Sequence, residues 1–514
     1  MIRQLHFLVV GSLFLLMACG TSTKRSSITL LRSQVRQGQY QQAMKLVKSK
    51  KYYPEKNSTL LKMLEEGMLL HLTGDYHRST KVLDRARELS DQLYTVSISK
   101  KIAATIASNQ LDKFYGEKYE SSMIRFFLAL NHYLIYQQGQ GADGKKLTNQ
   151  QLQNHLAAAR ANITEWDSLL NNYRQQVAGE TSYKDDLSAK LFGAFVHQQI
   201  GSSAERQIAI QLYRDAKKIL FRNYNSYRSF NGKAASFRKN FKKLPGMKKS
   251  VVKKKFVTSS RHAKQLINYI NHQLKILTGK IKKRDNIQVV LEQGLISAKS
   301  VKKINFPLPT PAVPLVTSGG RGLSLIAFTL NVLSISKGLK PSITFELPTV
   351  VEKRAAQQLT LIVQDKKGQV IKRTPLALMN PLSDLAHEAL SNRVTATYTK
   401  IGARVAAKHA AAIATAYISY KKSIRSGIPH PMAQIAAGLI YAGLNKGIAA
   451  SEKADLRCWS TLPHSLRIGS LRLPKGNYNL VLERKQGKSV SNIPLQGLLV
   501  DSSKKVKLLR LRVN

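Results

Sequence analysis

The chain has 514 residues, 43% of them hydrophobic, and carries 82 Lys and Arg against 29 Asp and Glu, a formal net charge of +53 with a pI near 10.3. That length and apolar content exclude a disordered chain and predict two to four domains with cores of their own, while the charge attracts polyanions without selecting one. Two cysteines, Cys19 and Cys458, leave no disulfide framework and no cysteine-based zinc site.

The opening stretch MIRQLHFLVVGSLFLLMACG places Arg3 ahead of an apolar run over residues 7–16. The run is far short of the ~20 residues that span a bilayer, so residues 1–18 read as a signal peptide. Leu16-Met17-Ala18-Cys19 resembles the bacterial lipobox. That resemblance implies that Cys19 is diacylated through its thiol, becomes the mature N-terminus and holds the protein on a membrane. Gly20 rather than Asp after the cysteine implies, by analogy with enteric sorting, an outer-membrane position facing the periplasm in a Gram-negative source. A chain exported this way does not normally meet DNA, RNA or ATP, so no nucleic-acid partner is expected.

After a tether at residues 19–27, residues 28–225 carry helical periodicity. RQGQYQQAMKLV and HLTGDYHRSTKVLDRA each read as a Gly-containing turn, at Gly38 and Gly74, followed by a helix. The two glycines are 36 residues apart, and a small turn residue followed by Tyr and Ala resembles the tetratricopeptide repeat, without its Trp and closing Pro. Met123, Phe126, Phe127, Leu130, Tyr133 and Leu134 form one apolar stripe. Leu152, Leu156, Ala159, Ile163, Trp166, Leu170 and Tyr173 form another, and a helix-turn-helix follows around Gly201. Together these predict a tetratricopeptide-like α-solenoid with the stripes as its core.

Residues 226–284 hold eighteen Lys and Arg and no Asp or Glu. They read, to residue 285, as a basic linker running into an amphipathic helix with Leu266, Ile270, Leu274 and Leu277 on one face. FRKNFKKLPGMKKSVVKKKF has the look of a nucleic-acid binder, but export redirects Lys242, Lys243, Lys248, Lys249, Lys253, Lys254 and Lys255 toward anionic lipid or lipopolysaccharide near the anchor. Alternating segments and turn signals then predict a β-rich, sandwich-like domain in two parts, residues 286–381 and 454–514. Residues 323–335 are apolar but too few to span a membrane, and read as a buried strand. Between the two parts, residues 382–453 are Ala-rich and predict a packed helical hairpin, with Ala437, Gly438, Ala442 and Gly443 permitting close approach; the alternative, since the second stretch has no charge until Lys446, is a helix lying against lipid or a partner. The fold class expected is therefore α+β.

Chemistry is sparse. GQGADGKK offers Gly139, Gly144 and Lys145 at phosphate-loop spacing, but Lys146 stands where magnesium needs Ser or Thr, and a helix precedes it. The twelve His show no zinc-ligand spacing. Glu65-Glu66 and Asp185-Asp186 are adjacent on helical segments, where neighbours do not share a face, so neither pair reads as an acid/base couple. No cofactor, metal or catalytic group is expected.

The most specific stretch is EKADLRCWSTLPHSLRIGSLRLPKGNY at residues 452–478. Period-two spacing places Asp455, Arg457 and Trp459 on one side of a strand. There they lock a sheet corner or recognise a ligand. Locking is favoured, because Trp buries a large area and an Arg–carboxylate pair satisfies itself. Ala454, Asp455, Arg457, Trp459, Leu462, Pro463, Pro474, Gly476 and Tyr478 resemble the C-terminal signature of a family of uncharacterised proteobacterial lipoproteins, with Cys458 where Ser or Thr is expected. The resemblance implies an envelope lipoprotein with helical repeats and brings no activity with it. The expected function is non-enzymatic scaffolding of an envelope protein partner, in envelope or cell-wall biogenesis. The alternative is a glycan- or ligand-binding, or hydrolytic, β-domain on a helical support.

Overall fold

The computed structural model describes residues 25–49, 52, 56–100, 113–175, 183, 185–222, 227–231, 260–307, 342–351, 358–501 and 506–514. Cys19, the seven lysines between 242 and 255, and the strand expected over residues 323–335 lie outside them.

Eight helices open the described chain: α1 (Arg25–Arg36), α2 (Tyr40–Lys48), α3 (Thr59–Leu72), α4 (Tyr76–Lys100), α5 (Lys118–Gln138), α6 (Asn149–Gln175), α7 (Leu187–Ile200) and α8 (Ser203–Arg222). Each packs against the one before it. The chain reverses after α1 at Gly38 and after α3 at Gly74, whose φ values of 73° and 84° lie in the left-handed region that costs other residues about 1 kcal/mol or more. Within α3, Gly67 brings α4 close, since a Cβ there would sit 2.5 Å from Leu83 Cδ2.

The helices form two layers. The predicted stripe of α6 is buried at Leu156, Ala159, Ile163, Trp166, Leu170 and Tyr173, while its other face is open. By contrast α5 is buried round nearly its whole circumference from Tyr119 to Ile135, and α7 from Leu187 to His197. A helix apolar all round needs cover on a second side. Strands supply it.

A short helix α9 (Arg228–Asn231) and the amphipathic α10 (Arg261–Leu277) lead into the strands β1 (Ile287–Gln293), β2 (Lys299–Pro307), β3 (Ser342–Val350), β4 (Gln358–Gln364), β5 (Val370–Pro375) and β6 (Ala377–Asn380). After the helices α11 (Leu382–Arg425) and α12 (His430–Ser451) come β7 (Ser465–Leu471), β8 (Gly476–Gln486), β9 (Ser489–Val500) and β10 (Lys507–Val513). One sheet has the order β10-β1-β7-β6, with β1 and β10 parallel and the other pairs antiparallel. A second, antiparallel sheet has the order β5-β4-β8-β9.

Central strand β1 is buried on both faces. Val290 joins the core of the helical layers, with Gln288 and Glu292 on the same side. Ile287, Val289 and Leu291 meet Leu361, Leu480, Leu482 and Leu498 of the second sheet. Helices, sheet and sheet thus stack in sequence, and the chain is α+β. The ribbon β2–β3 braces the base of the α11–α12 hairpin through Phe345 and Leu347 against Ile401 and Val405.

Candidate functional site

Residues 452–464 form no strand. The expected period-two face is therefore absent, and the physical reason is visible in where the backbone N–H groups go. Trp459 N–H donates to Glu120 Oε1 at 2.7 Å, and Ser460 N–H and Thr461 N–H donate to Glu65 Oε1 and Oε2 at 2.8 and 3.2 Å. Carboxylates from two inner helices take the place of a neighbouring strand.

Asp455 and Arg457 still pair, with Arg457 Nε and Nη2 donating to Oδ1 and Oδ2 at 2.9 and 2.8 Å. The guanidinium lies over the Phe114 ring at 5.9 Å. Trp459 is fully buried elsewhere, its ring 6.0 Å from that of Phe127 in α5, and its indole N–H has no hydrogen-bond partner among the described residues. Of the expected trio, two residues meet and the third goes into the core. Pro463 is buried beside Leu462, whose carbonyl accepts from Ile296 N–H at 2.8 Å. From α1, Arg32 Nη1 and Nη2 donate to the carbonyls of Ser460 and Ile296 at 2.8 and 2.6 Å.

Glu65 receives both backbone donors and also the hydroxyls of Ser460 and Thr461. Burial pushes its carboxyl up, while the four donors oppose this and match the lone pairs of an ionised carboxylate. Glu120 completes the capping box of α5 by accepting Glu117 N–H at 2.7 Å. Burial, then Glu117, pushes it up to about 7. Lys299 reaches Glu117 at 3.4 Å, and the neighbouring anions raise its ammonium despite burial. Cys458 is a free, buried thiol, pushed up to about 11 by burial.

Two further carboxylates tie the same layers together. Asp186 caps α7 by accepting Ser188 N–H at 2.7 Å, and also accepts Asn380 Nδ2 of β6 at 3.0 Å. Glu292 of β1 meets His71 Nε2 of α3 at 2.9 Å and Arg510 Nε of β10 at 2.8 Å. Burial alone would raise Glu292, but Arg510, His71 and Arg512 hold it below the usual carboxylate range. Burial, then Arg510, lowers the His71 imidazole.

A cleft of about 350 Å³ adjoins the end of the segment. Its apolar wall comes from Leu295, Leu359, Leu482 and Ile493, and Arg36, Arg484 and His464 supply nitrogen groups. Glu65, Glu120, Asp186 and Glu292 do not line it. The loop carrying Gly139, Gly144 and Lys145 joins α5 to α6 and closes on itself through a Gln140–Lys146 bridge, with no strand ahead of it. Among the described residues, no group of three or more His, Cys, Asp or Glu is arranged to hold a metal ion.

Sequence reasoning considered Glu65 and Asp186 only as halves of acid/base couples and missed their positions. The signal was there: Glu65 falls in register with Leu61, Met68, Leu69 and Leu72, on the apolar face of α3. A carboxylate placed in such a stripe needs dedicated donors. No family model, curated protein or solved structure matches the chain.

Proposed function

We propose that the protein is a non-enzymatic, lipid-anchored scaffold of the cell envelope, held at the outer membrane through diacylated Cys19 and facing the periplasm. In this reading the paired helices α1–α8 are a tetratricopeptide-like solenoid, and the chain is related to the lipoprotein family that its 454–478 signature resembles. Lys242, Lys243, Lys248, Lys249, Lys253, Lys254 and Lys255 are a second attachment to anionic lipid or lipopolysaccharide.

One observation supports scaffolding over chemistry. Glu65, Glu120, Asp186 and Glu292, each no more than 1% exposed, are all engaged in bonds between the helical layer and the β part. A general acid or base must reach a substrate proton. These groups fix two halves in one geometry instead, which is what a rigid platform needs. The inner helical surface is covered by the chain's own strands, so partners are assigned to the outer faces of α4, α6 and α8.

The test is photo-crosslinking in intact cells from exposed α6 and α8 positions such as Gln153 and Gln211, beside labelled-palmitate incorporation. A defined protein adduct, and loss of label in Cys19→Ser, are expected. Adducts to lipid alone, or undiminished label, would refute the scaffold or the anchor respectively. The cleft favours the second reading, a bound ligand, because its apolar wall and two arginines suit an anionic amphiphile. Arg484→Gln weakening a detergent-sulfate shift in Tm would support that reading.

A further inference from the structure

Among the described residues, the outer part of the α11–α12 hairpin packs only on itself. Its core of Ala412, Ile413, Ala416, Tyr420, Ala433, Ala437, Tyr441 and Ile448 draws on no other described element. Tyr420 bonds His430 at 2.8 Å and His409 bonds Tyr441 at 3.2 Å, which sets Ile418 level with Met432 across the pair. Two helices bury one face each, and the opposite faces are left open.

Those open faces are apolar. Six of the thirteen large hydrophobic side chains exposed among the described residues fall between residues 418 and 440: Ile418, Ile428, Met432, Ile435, Leu439 and Ile440. Met432, Ile435 and Leu439 step by three and four along α12, a continuous stripe, and are 64%, 55% and 66% exposed. Scattered exposed apolar residues need no explanation, whereas a contiguous patch marks a binding surface.

Charge identifies the occupant. Between Glu388 and Glu452 the sequence has eight Lys and Arg and no Asp or Glu. Arg404 and Lys408 at the base are paired with Glu452. Lys421, Lys422 and Arg425 stand at the tip, beside Ile418 and Ile428. Apolar side chains flanked by cations match the boundary between acyl chains and anionic headgroups. A second copy of the hairpin fits poorly, because it would bring cations against cations with no anion between them. Among the described residues no helix is long and apolar enough to cross a membrane. At 1.5 Å per residue, the stripe from Met432 to Leu439 covers only ~11 Å.

We infer that the distal α11–α12 hairpin lays its Met432–Ile435–Leu439 face on an anionic phospholipid bilayer, in the plane of the surface, with Lys421, Lys422 and Arg425 at headgroup level. The contact does not depend on acylation of Cys19. The two attachments are tested separately by using the full chain carrying Cys19→Ser throughout.

The reporter is Leu439→Trp, since Trp166 and Trp459 are fully buried and give a constant background. With vesicles of phosphatidylglycerol and phosphatidylethanolamine, its emission should shift to the blue and be quenched by brominated acyl chains. Phosphatidylcholine vesicles should produce neither change. Adding Met432→Gln and Ile435→Gln, both on the exposed face, should weaken binding by about tenfold or more with helicity unchanged. Absence of quenching, equal response to zwitterionic vesicles, or equal binding by the Gln variant would overturn the inference. A blue shift that grows with protein concentration without vesicles would overturn it too, and would assign the face to a second copy.

Discussion

Four donors converge on Glu65, and a glutamine there can accept on only one of its two terminal atoms. Glu65→Gln turns an amide NH2 toward Ser460 or Thr461, which leaves a buried N–H without an acceptor and should cost about 1–3 kcal/mol. Urea unfolding measures that loss directly. Alkylation of native Cys458, a thiol both buried and resistant to ionisation, should also accelerate by about tenfold, because reagent reaches it only when the segment lifts off. An unchanged midpoint and labelling rate would mean that the carboxylate does not hold the segment. Glu120 gives a pH signature. Its folded-state value of about 7 lies above the ordinary 4.5, so its contribution is full below about pH 4.5, falls as pH rises, and levels off above about 7. The span is ~3 kcal/mol at most. Glu120→Gln removes this titration, so the difference in unfolding free energy should drift in the variant's favour between pH 5 and 7. A difference constant with pH would count against it.

At the scale of elements, Gly67→Ala sets two effects of opposite sign against each other. Alanine in the interior of α3 gains about 1 kcal/mol of helix propensity, but its Cβ overlaps Leu83, and overpacking costs about 1–3 kcal/mol. Net destabilisation is expected, with non-additivity when combined with Leu83→Ala in a double-mutant cycle; a stabilised single variant would show that α4 moves away freely. Elements whose signals are local were legible in the sequence. The Gly38, Gly74 and Gly201 turns, the Trp166 stripe and the α11–α12 hairpin all follow from periodicity and turn chemistry. Asp455, Arg457 and Trp459 were misread as one strand face because a period-two pattern presupposes a neighbouring strand. The segment's true partners, Glu65 and Glu120, are some 340 to 400 residues away. Strand β9 was not singled out, since Pro494 and Gly497 interrupt its apolar alternation.

For the molecule as a whole, the layering makes the two halves interdependent. A single core runs from Leu31 and Val35 of α1 through Phe127 of α5 to Trp459, Ile468 and Leu508. Residues 25–231 expressed alone would expose the inner faces of α3, α5 and α7, together with the Glu65 and Asp186 carboxylates that the β part satisfies. Such a fragment should bind a hydrophobic dye and unfold without cooperativity, and supplying residues 260–514 in trans should restore a sharp transition. A sharp transition in the fragment alone would show that the helical layers are self-sufficient. The bond from Ser460 N–H to Glu65 closes a loop of 395 residues, and that from Arg32 to the Ser460 carbonyl closes one of 428. Contacts of such long range form slowly, because the chain entropy of closure is lost before any contact compensates it. During synthesis the helices must therefore wait, with their apolar inner faces uncovered, until nearly all of the chain has emerged. The same distance that makes the finished structure one body makes its assembly a late event, and the unfinished chain a client for chaperones.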